Sequence, residues 1–185
     1  QQIVQASSAT GALNYDEWNL DFLADYIVNT HHYYVRKYLP EIKGYAAKVA
    51  RVHGDRHPEL LRINELVEKV DKEMFEHMAD EENNLFPAVK EIVKAKTNGT
   101  PYVRNTERSF SEIVATSEQE HESVGDAMKE IRSLSDNFTV PADGCTSYRL
   151  LFKMLEEFEN DLFIHIHLEN NILFPKAEVI EKSLA

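Results

Sequence analysis

The feature that most constrains this chain is a histidine followed four residues later by a glutamate, a pair that occurs twice among apolar residues. The pairs are His77 with Glu81 and His165 with Glu169, and they stand 88 positions apart (165 − 77). A Phe-Pro dipeptide follows each pair at the same distance. Because residues four apart share one face of a helix, each pair predicts a helix that turns an imidazole and a carboxylate toward the same neighbour.

Elsewhere the apolar residues recur at steps of three and four, which is the period of a helix with one buried stripe. Glycine and proline are few and cluster in three places that mark connections between helices: 54–58, 98–101 and 141–144. We therefore predict an all-α bundle of four helices, over roughly 17–52, 58–96, 104–135 and 146–182. Three prolines inside these spans should kink or locally end a helix: Pro40, Pro87 and Pro175.

The buried stripes of the first and third helices each carry one histidine, His32 and His121. These two histidines are 89 positions apart (121 − 32), close to the 88 positions that separate the two histidine–glutamate pairs. The two halves of the chain are therefore similar, and we predict an up-down four-helix bundle with an internal pseudo-two-fold repeat. His31 could replace His32 as the predicted ligand if the first helix is rotated about its axis. The residues on the same helix face as His31 are aromatic, however, so we favour His32. The predicted cluster holds four imidazoles and two carboxylates: His32, His77, Glu81, His121, His165 and Glu169.

Such a cluster predicts a metal centre, because buried imidazoles and carboxylates are costly unless they are paired or bind a metal. Nitrogen and oxygen ligands without thiolate suit iron or manganese, with zinc as an alternative. Two carboxylates among four imidazoles indicate two metals bridged by the glutamates, with coordination positions left for a small molecule. The order His-x-x-x-Glu differs from the Glu-x-x-His of ferritin-like bundles, and the His-Glu-x-x-His of zincins is absent.

Other polar residues near the predicted ligands have weaker interpretations. Three acidic residues could orient the ligands or pass protons, with ordinary helix polarity as the alternative: Glu73, Glu120 and Asp161. The histidines outside the cluster are interpreted as capping, surface or non-ligand residues: His53, His57 and His167. A single thiol at a predicted helix start, Cys145, does not by itself make a mechanism.

The composition limits the binding partners and the cellular compartment that we expect for this chain. A net charge of −12 repels nucleic-acid phosphates and anionic lipid heads, so we expect neither nucleic acid nor membrane as a partner. No apolar run reaches the roughly 20 residues that a membrane helix needs. The single cysteine excludes internal disulfides and a cysteine-built metal site, which suits a reducing cytoplasm. Residues 1–13 are expected to form a tail, the remnant of a missing N-terminal segment, before one domain over 14–185.

The motifs around these residues resemble the repair-of-iron-centres (RIC) family of hemerythrin-like di-iron proteins. The resemblance runs from Tyr26 to Pro175 and includes these phrases: Leu39-Pro40-Glu41, Val52-His53-Gly54, His57-Pro58-Glu59-Leu60, Glu81-Glu82, Leu85-Phe86-Pro87, Glu120-His121, Cys145-Thr146 and Leu168-Glu169-Asn170-Asn171. It implies a hemerythrin-like fold and two iron ions per chain, joined by an oxo or hydroxo bridge. The iron ligands implied are the six residues of the predicted cluster, with Glu81 and Glu169 bridging.

By that resemblance the chain would repair iron-sulfur clusters damaged by oxidative or nitrosative stress, by donating iron to client proteins. Two alternatives remain, namely reduction of nitric oxide or peroxide, and reversible binding of oxygen or nitric oxide as a sensor. Family members commonly carry a small cysteine-containing N-terminal domain, and nothing before Asn14 resembles it. Thiol chemistry and formation of a homodimer, where they depend on that domain, stay open.

Overall fold

Four long helical rods joined by three loops form the structure, a computed structural model that describes residues 14–103 and 107–184. Three of the rods contain a π turn, which is a wider helical turn with one extra residue. A short 3-10 turn at Tyr15–Glu17 precedes them. The rods are, in chain order, α1 (Leu20–Ile27), a π turn (Val28–His32) and α2 (Tyr33–His53); α3 (Glu59–Asp80), a π turn (Glu81–Leu85) and α4 (Phe86–Asn98); α5 (Phe110–Leu134); and α6 (Thr146–Leu168), a π turn (Glu169–Leu173) and α7 (Phe174–Lys182).

The predicted up-down four-helix bundle is confirmed. Helix α2 packs against α3 and α6, α3 against α5, and α4 against α1 and α7. The buried apolar residues form two clusters, one around α2, α3, the second half of α5 and α6, and the other around α1, α4, the start of α5 and α7. Each rod runs from one apolar cluster to the other, and successive rods run in opposite directions. None of the described helices is long and apolar enough to cross a membrane.

The helix ends follow local capping chemistry. The third helix begins at Phe110, and the predicted start at 104 is wrong because residues 107–109 are not helical. Ser109 begins the helix with a capping box: its hydroxyl accepts a hydrogen bond from the Glu112 N–H (3.2 Å), and the Glu112 carboxylate accepts one from the Ser109 N–H (2.6 Å). The predicted tail at 1–13 lies outside the described residues.

The three prolines inside the rods behave differently from one another. Pro87 and Pro175 are each the second residue of an α-helix that follows a π turn, where a proline needs no hydrogen-bond partner for its nitrogen. Each marks a local break, as predicted. Helix α2 runs through Pro40 without interruption, so the local end predicted there does not occur.

The loop between α5 and α6 has an unusual backbone. Asp136, Asn137 and Phe138 all have positive φ angles, of 48°, 55° and 60°, a conformation that costs energy for residues other than glycine. Two contacts hold the loop in place: the Arg132 guanidinium lies 4.8 Å from the centre of the Phe138 ring, and the Phe138 N–H donates to the Ser135 hydroxyl at 3.0 Å. The conformation of the loop therefore fixes the position at which α6 begins.

Candidate metal centre

The π turns carry three of the predicted ligands. Glu81 and Glu169 are the first residues of the π turns in the second and fourth rods, and His32 is the last residue of the π turn in the first rod. Pro87 and Pro175 favour this wider turn, because a proline nitrogen cannot donate to the carbonyl four residues earlier, which lies inside each π turn. The extra residue widens each rod where its ligand points inward.

The structure brings all six predicted ligands together in the interior of the bundle. Two groups of four buried residues offer ligand atoms that lie within 4.8 Å of one another. Glu81 and Glu169 belong to both groups, which is the arrangement expected of two bridging carboxylates. The first group is His32, Glu81, His165 and Glu169, and the second is His77, Glu81, His121 and Glu169.

Glu81 lies between the imidazoles of His32 and His77. Its Oε2 atom is 3.3 Å from Nε2 of His32 and 3.2 Å from Nε2 of His77. The other oxygen, Oε1, accepts a hydrogen bond from the Ser117 hydroxyl at 2.9 Å. The serine therefore fixes the carboxylate and leaves one oxygen directed at the histidines.

Glu169 has the equivalent place in the second half of the chain. Its Oε1 atom is 3.0 Å from Nε2 of His165, and its Oε2 atom is 3.1 Å from Nε2 of His121. The Nε2 atoms of His77 and His121 are themselves only 3.1 Å apart. Four ring nitrogens and two carboxylates thus converge on one small volume.

The unpaired atoms in this volume fit a bound cation. Nε2 of His32 and the Oε2 atoms of Glu81 and Glu169 are buried without a hydrogen-bond partner. Buried polar atoms are normally paired, so several unpaired acceptors that face each other indicate a missing positive partner. Neutral imidazole nitrogens and carboxylate oxygens, without any sulfur, are ligands that suit iron.

Protons and cations compete for the same positions. Burial by itself raises the pKa of Glu81, but the neighbouring His77 and His32 imidazoles outweigh it and hold that pKa well below its ordinary value. Burial and the Glu81 charge raise the pKa of Glu169, yet His165 opposes them and the value falls to about 2. Burial lowers the pKa of His77, but the carboxylates raise it to about 10. The metal-free centre therefore holds ionised carboxylates beside a protonated imidazole.

The outer ring nitrogens of three ligand-type histidines are bound by polar side chains. Nδ1 of His32 is 2.7 Å from a Glu82 oxygen, Nδ1 of His77 is 2.8 Å from a Glu120 oxygen, and Nδ1 of His121 is 2.8 Å from the Asn170 amide oxygen. With Nδ1 as the donor, each ring can present an unprotonated Nε2 toward the centre once a cation displaces any proton held there, as a metal ligand must.

The pseudo-two-fold symmetry is broken beside His165. In one half Glu120 supports His77, whereas the corresponding position in the other half is occupied by His31. The His31 ring stacks on His165, with ring centroids 5.6 Å apart and 10° between the planes, and its Nδ1 atom is 3.0 Å from Asp161. Nδ1 of His165 is buried without a hydrogen-bond partner. The two groups of ligands are therefore not equivalent.

The predicted neighbours of the centre have different places in the structure. Glu120 contacts a ligand-type histidine directly, and Asp161 contacts His31, which belongs to neither group. Glu73 instead accepts a hydrogen bond from the Ser123 hydroxyl at 3.0 Å. That the six central residues bind metal stays a prediction that a measurement must test.

Sequence reasoning missed three residues that contact the ligands: Ser117, Glu82 and Asn170. A signal for the last two was present, because they directly follow Glu81 and Glu169 and keep the offset of 88 (170 − 82). Ser117 stands one turn before His121 on the buried face of the third helix, but the sequence did not show its partner Glu81, which lies 36 positions away on another rod.

Comparison with known proteins gives the family. The sequence matches the hemerythrin HHE cation binding domain over residues 23–177. It is 36% identical over 155 residues to a probable iron-sulfur cluster repair protein of Haemophilus influenzae, a match that covers 84% of this chain and 64% of the relative. It is 33% identical over 155 residues, with the same coverage, to the iron-sulfur cluster repair protein YtfE of Enterobacter. It is 29% identical over 170 residues to the iron-sulfur cluster repair protein ScdA of Staphylococcus haemolyticus, covering 88% of this chain and 72% of the relative.

The chain spans less than two thirds of the length of the first two relatives, at 64% of each. The matched region contains both groups of ligand-type residues, so the place where a cation could be held coincides with the part that the family shares. The resemblance drawn from the motifs is confirmed. The chain belongs to the hemerythrin HHE cation binding family, in the RIC group that includes these iron-sulfur cluster repair proteins.

Proposed function

We propose that this chain binds two iron ions, one in each group of ligands, and donates iron to iron-sulfur proteins whose clusters have been damaged by oxidative or nitrosative stress. The observation that carries the proposal is the pair of buried four-residue groups that share Glu81 and Glu169. The printed names of the relatives, which are iron-sulfur cluster repair proteins, supply the biological role.

Two ions are favoured over one by the number and arrangement of the ligands. Each group has two imidazole nitrogens of its own, and both carboxylates lie within reach of either group. A single ion would leave two buried histidines facing carboxylates without a cation between them, at the cost of unpaired polar atoms. Bound iron would supply redox chemistry and open coordination positions, which six protein ligands cannot fill on two ions.

Donation of iron requires a route to the surface, and a groove beside His77 supports one at this place. A groove of about 350 Å³ lies between α3 and α5 and is lined by Glu73, Glu76, Thr116, Gln119, Glu120 and Ser123. Glu120 touches both the groove and the centre, since its carboxylate is 38% exposed and contacts Nδ1 of His77. Carboxylates along this groove would attract a departing or arriving cation.

The test begins with metal content. The protein is purified without oxygen, and the metals per chain are measured by mass spectrometry for the wild type and for Glu81→Ala and Glu169→Ala. We expect close to two irons in the wild type and the loss of both in either variant, because each carboxylate serves both groups. Glu76→Ala is the matched control, because Glu76 is 69% exposed and lines the groove without belonging to either group.

The iron-loaded protein is then mixed with an apo iron-sulfur protein, sulfide and a thiol reductant, and cluster formation is followed by absorbance. Transfer that outpaces free ferrous iron in the presence of a chelator supports donation. A wild type without iron, or alanine variants that keep it, would contradict the metal centre itself.

Reduction of nitric oxide or peroxide, or reversible binding of oxygen or nitric oxide, is the second candidate. The open coordination positions left by six protein ligands favour it. A loaded protein that retains its iron in the transfer assay but consumes nitric oxide or peroxide with a reductant would support the catalyst. A stable adduct without consumption would support the sensor.

A further inference from the structure

A second cluster of reactive side chains lies far from the metal centre. Sγ of Cys145 is 3.2 Å from Nε2 of His53. His53 is the last residue of α2, and Cys145 immediately precedes α6, so the pair joins two rods at the end of the bundle. Cys145 stands 20 residues before His165 on the same rod, which is roughly 30 Å along the helix axis. The pair is therefore separate from the proposed iron site.

The His53 imidazole contacts the thiol through Nε2, and its ring packs edge-on against Tyr148 with ring centroids 5.4 Å apart. A capping or surface role was predicted for His53, and the surface position is wrong because only 4% of its surface is exposed. Its Nδ1 atom is buried without a hydrogen-bond partner, and the thiol is the one hydrogen-bonding contact of the ring among the described residues. Nε2 of this buried imidazole is therefore placed to exchange a proton with the thiol.

Cys145 lies exposed at the start of a helix. The residue precedes the first turn of a 23-residue helix, where serine, threonine and aspartate usually bind a backbone N–H with their side chains. The cysteine side chain makes no such bond, because it is turned toward His53. The N–H groups at the start of a helix favour negative charge that develops beside them during a reaction. Cys145 is also exposed, so a small molecule can reach the sulfur.

The backbone on both sides of the pair is fixed by close approaches. A Cβ atom on Gly144 would lie 2.5 Å from the Val140 side chain, and one on Gly54 would lie 2.4 Å from a backbone oxygen. The loops that carry these glycines are joined by a side-chain contact in which Nε2 of His57 is 3.0 Å from an Asp143 oxygen. The approach of the thiol to the imidazole is thus built into the fold.

We propose that Cys145 is a reactive thiol, with His53 as its base, and that it is modified by disulfides of low-molecular-weight thiols. His53 takes the proton from Sγ, which then attacks one sulfur of the disulfide. The new bond joins Sγ to that sulfur, the original disulfide bond breaks, and the leaving thiolate takes the proton from His53. One disulfide is consumed and one is formed, so the exchange needs no further oxidant.

The chain is well suited to a direct test, because Cys145 is its single cysteine. The isolated protein is incubated at neutral pH with oxidised glutathione, the reaction is quenched with acid, and the mixed disulfide is quantified by intact mass. We expect the folded protein to react at least about tenfold faster than the same protein unfolded in urea, as positioned general bases generally achieve. Cys145→Ser should give no adduct.

Two histidine variants assign the role of the base. His53→Gln should lose most of the acceleration. His167→Gln should keep the wild-type rate, because His167 is an exposed histidine 22 residues after Cys145 (167 − 145) that contacts Asn171 rather than the thiol. Circular dichroism verifies that each variant is folded. If His53→Gln does not fold, the comparison of folded and unfolded wild type still decides, since equal rates would overturn the proposal. A folded His53→Gln protein that reacts as fast as the wild type would overturn it too.

Discussion

Replacing Glu120 with alanine should weaken metal binding at the position held by His77 and His121. The Glu120 carboxylate accepts the hydrogen bond from Nδ1 of His77 at 2.8 Å and so keeps Nε2 free to bind a cation. Removing such a partner commonly costs 10- to 100-fold in metal affinity, or about 1.4 to 2.7 kcal/mol. Because the carboxylate is 38% exposed, water can replace it in part, and we expect a loss near the lower end, about tenfold.

The assay is an anaerobic ferrous titration against a chromophoric chelator, which resolves two binding steps if the positions differ. Glu120→Gln retains an acceptor oxygen and should lose less affinity than Glu120→Ala. Glu76→Ala removes a charge from the same groove without touching a ligand, so it should leave both steps unchanged within about twofold. Equal losses in Glu76→Ala and Glu120→Ala would refute the reasoning, because they would show that the groove acts through its overall charge.

Two further predictions concern protons and stability. The pKa of His77 is raised from 6.5 to about 10, so its stabilisation of the metal-free protein is complete below pH 6.5 and is lost as pH rises toward 10. Near neutral pH a metal ion must displace that proton from His77. Metal binding should therefore release protons, which a titration in weak buffer can measure. Glu159 is buried and bound by two nitrogens of Arg132, whose own side chain is 36% exposed. Because the arginine left behind can be solvated, Glu159→Ala should lower the free energy of unfolding in urea by about 1.5–3 kcal/mol, against below about 1 kcal/mol for the exposed Glu157→Ala control.

The ligand set could be read from the sequence because two kinds of pattern coincide on it. The apolar stripe identifies the buried face of each helix, and histidine or glutamate on that face is exceptional. The repeat at an offset of 88 then links His77 and Glu81 to their counterparts in the other half. Either pattern alone would have left ordinary buried or surface residues as the simpler interpretation.

The π turns could not be predicted, since a single extra residue in a helix changes the period too little to be seen in a stripe. The capping box at Ser109 was present in the sequence as a serine three residues before a glutamate, and it gives the helix start that the position of the preceding connection misplaced. The contact between His53 and Cys145 joins residues 92 positions apart through a turn and a loop, which no local pattern encodes.

The two apolar clusters bear on how the bundle unfolds. Along each rod the ligand-type residues lie between one cluster and the other, so a polar layer divides the apolar interior into two ends. Cooperative unfolding requires that the loss of one end destabilise the other. Metal bonds across that layer would couple the two ends strongly, whereas ion pairs between protonated histidines and glutamates would couple them weakly. In calorimetry the loaded protein should melt in one sharp transition, and release of iron should let the ends of the bundle open independently.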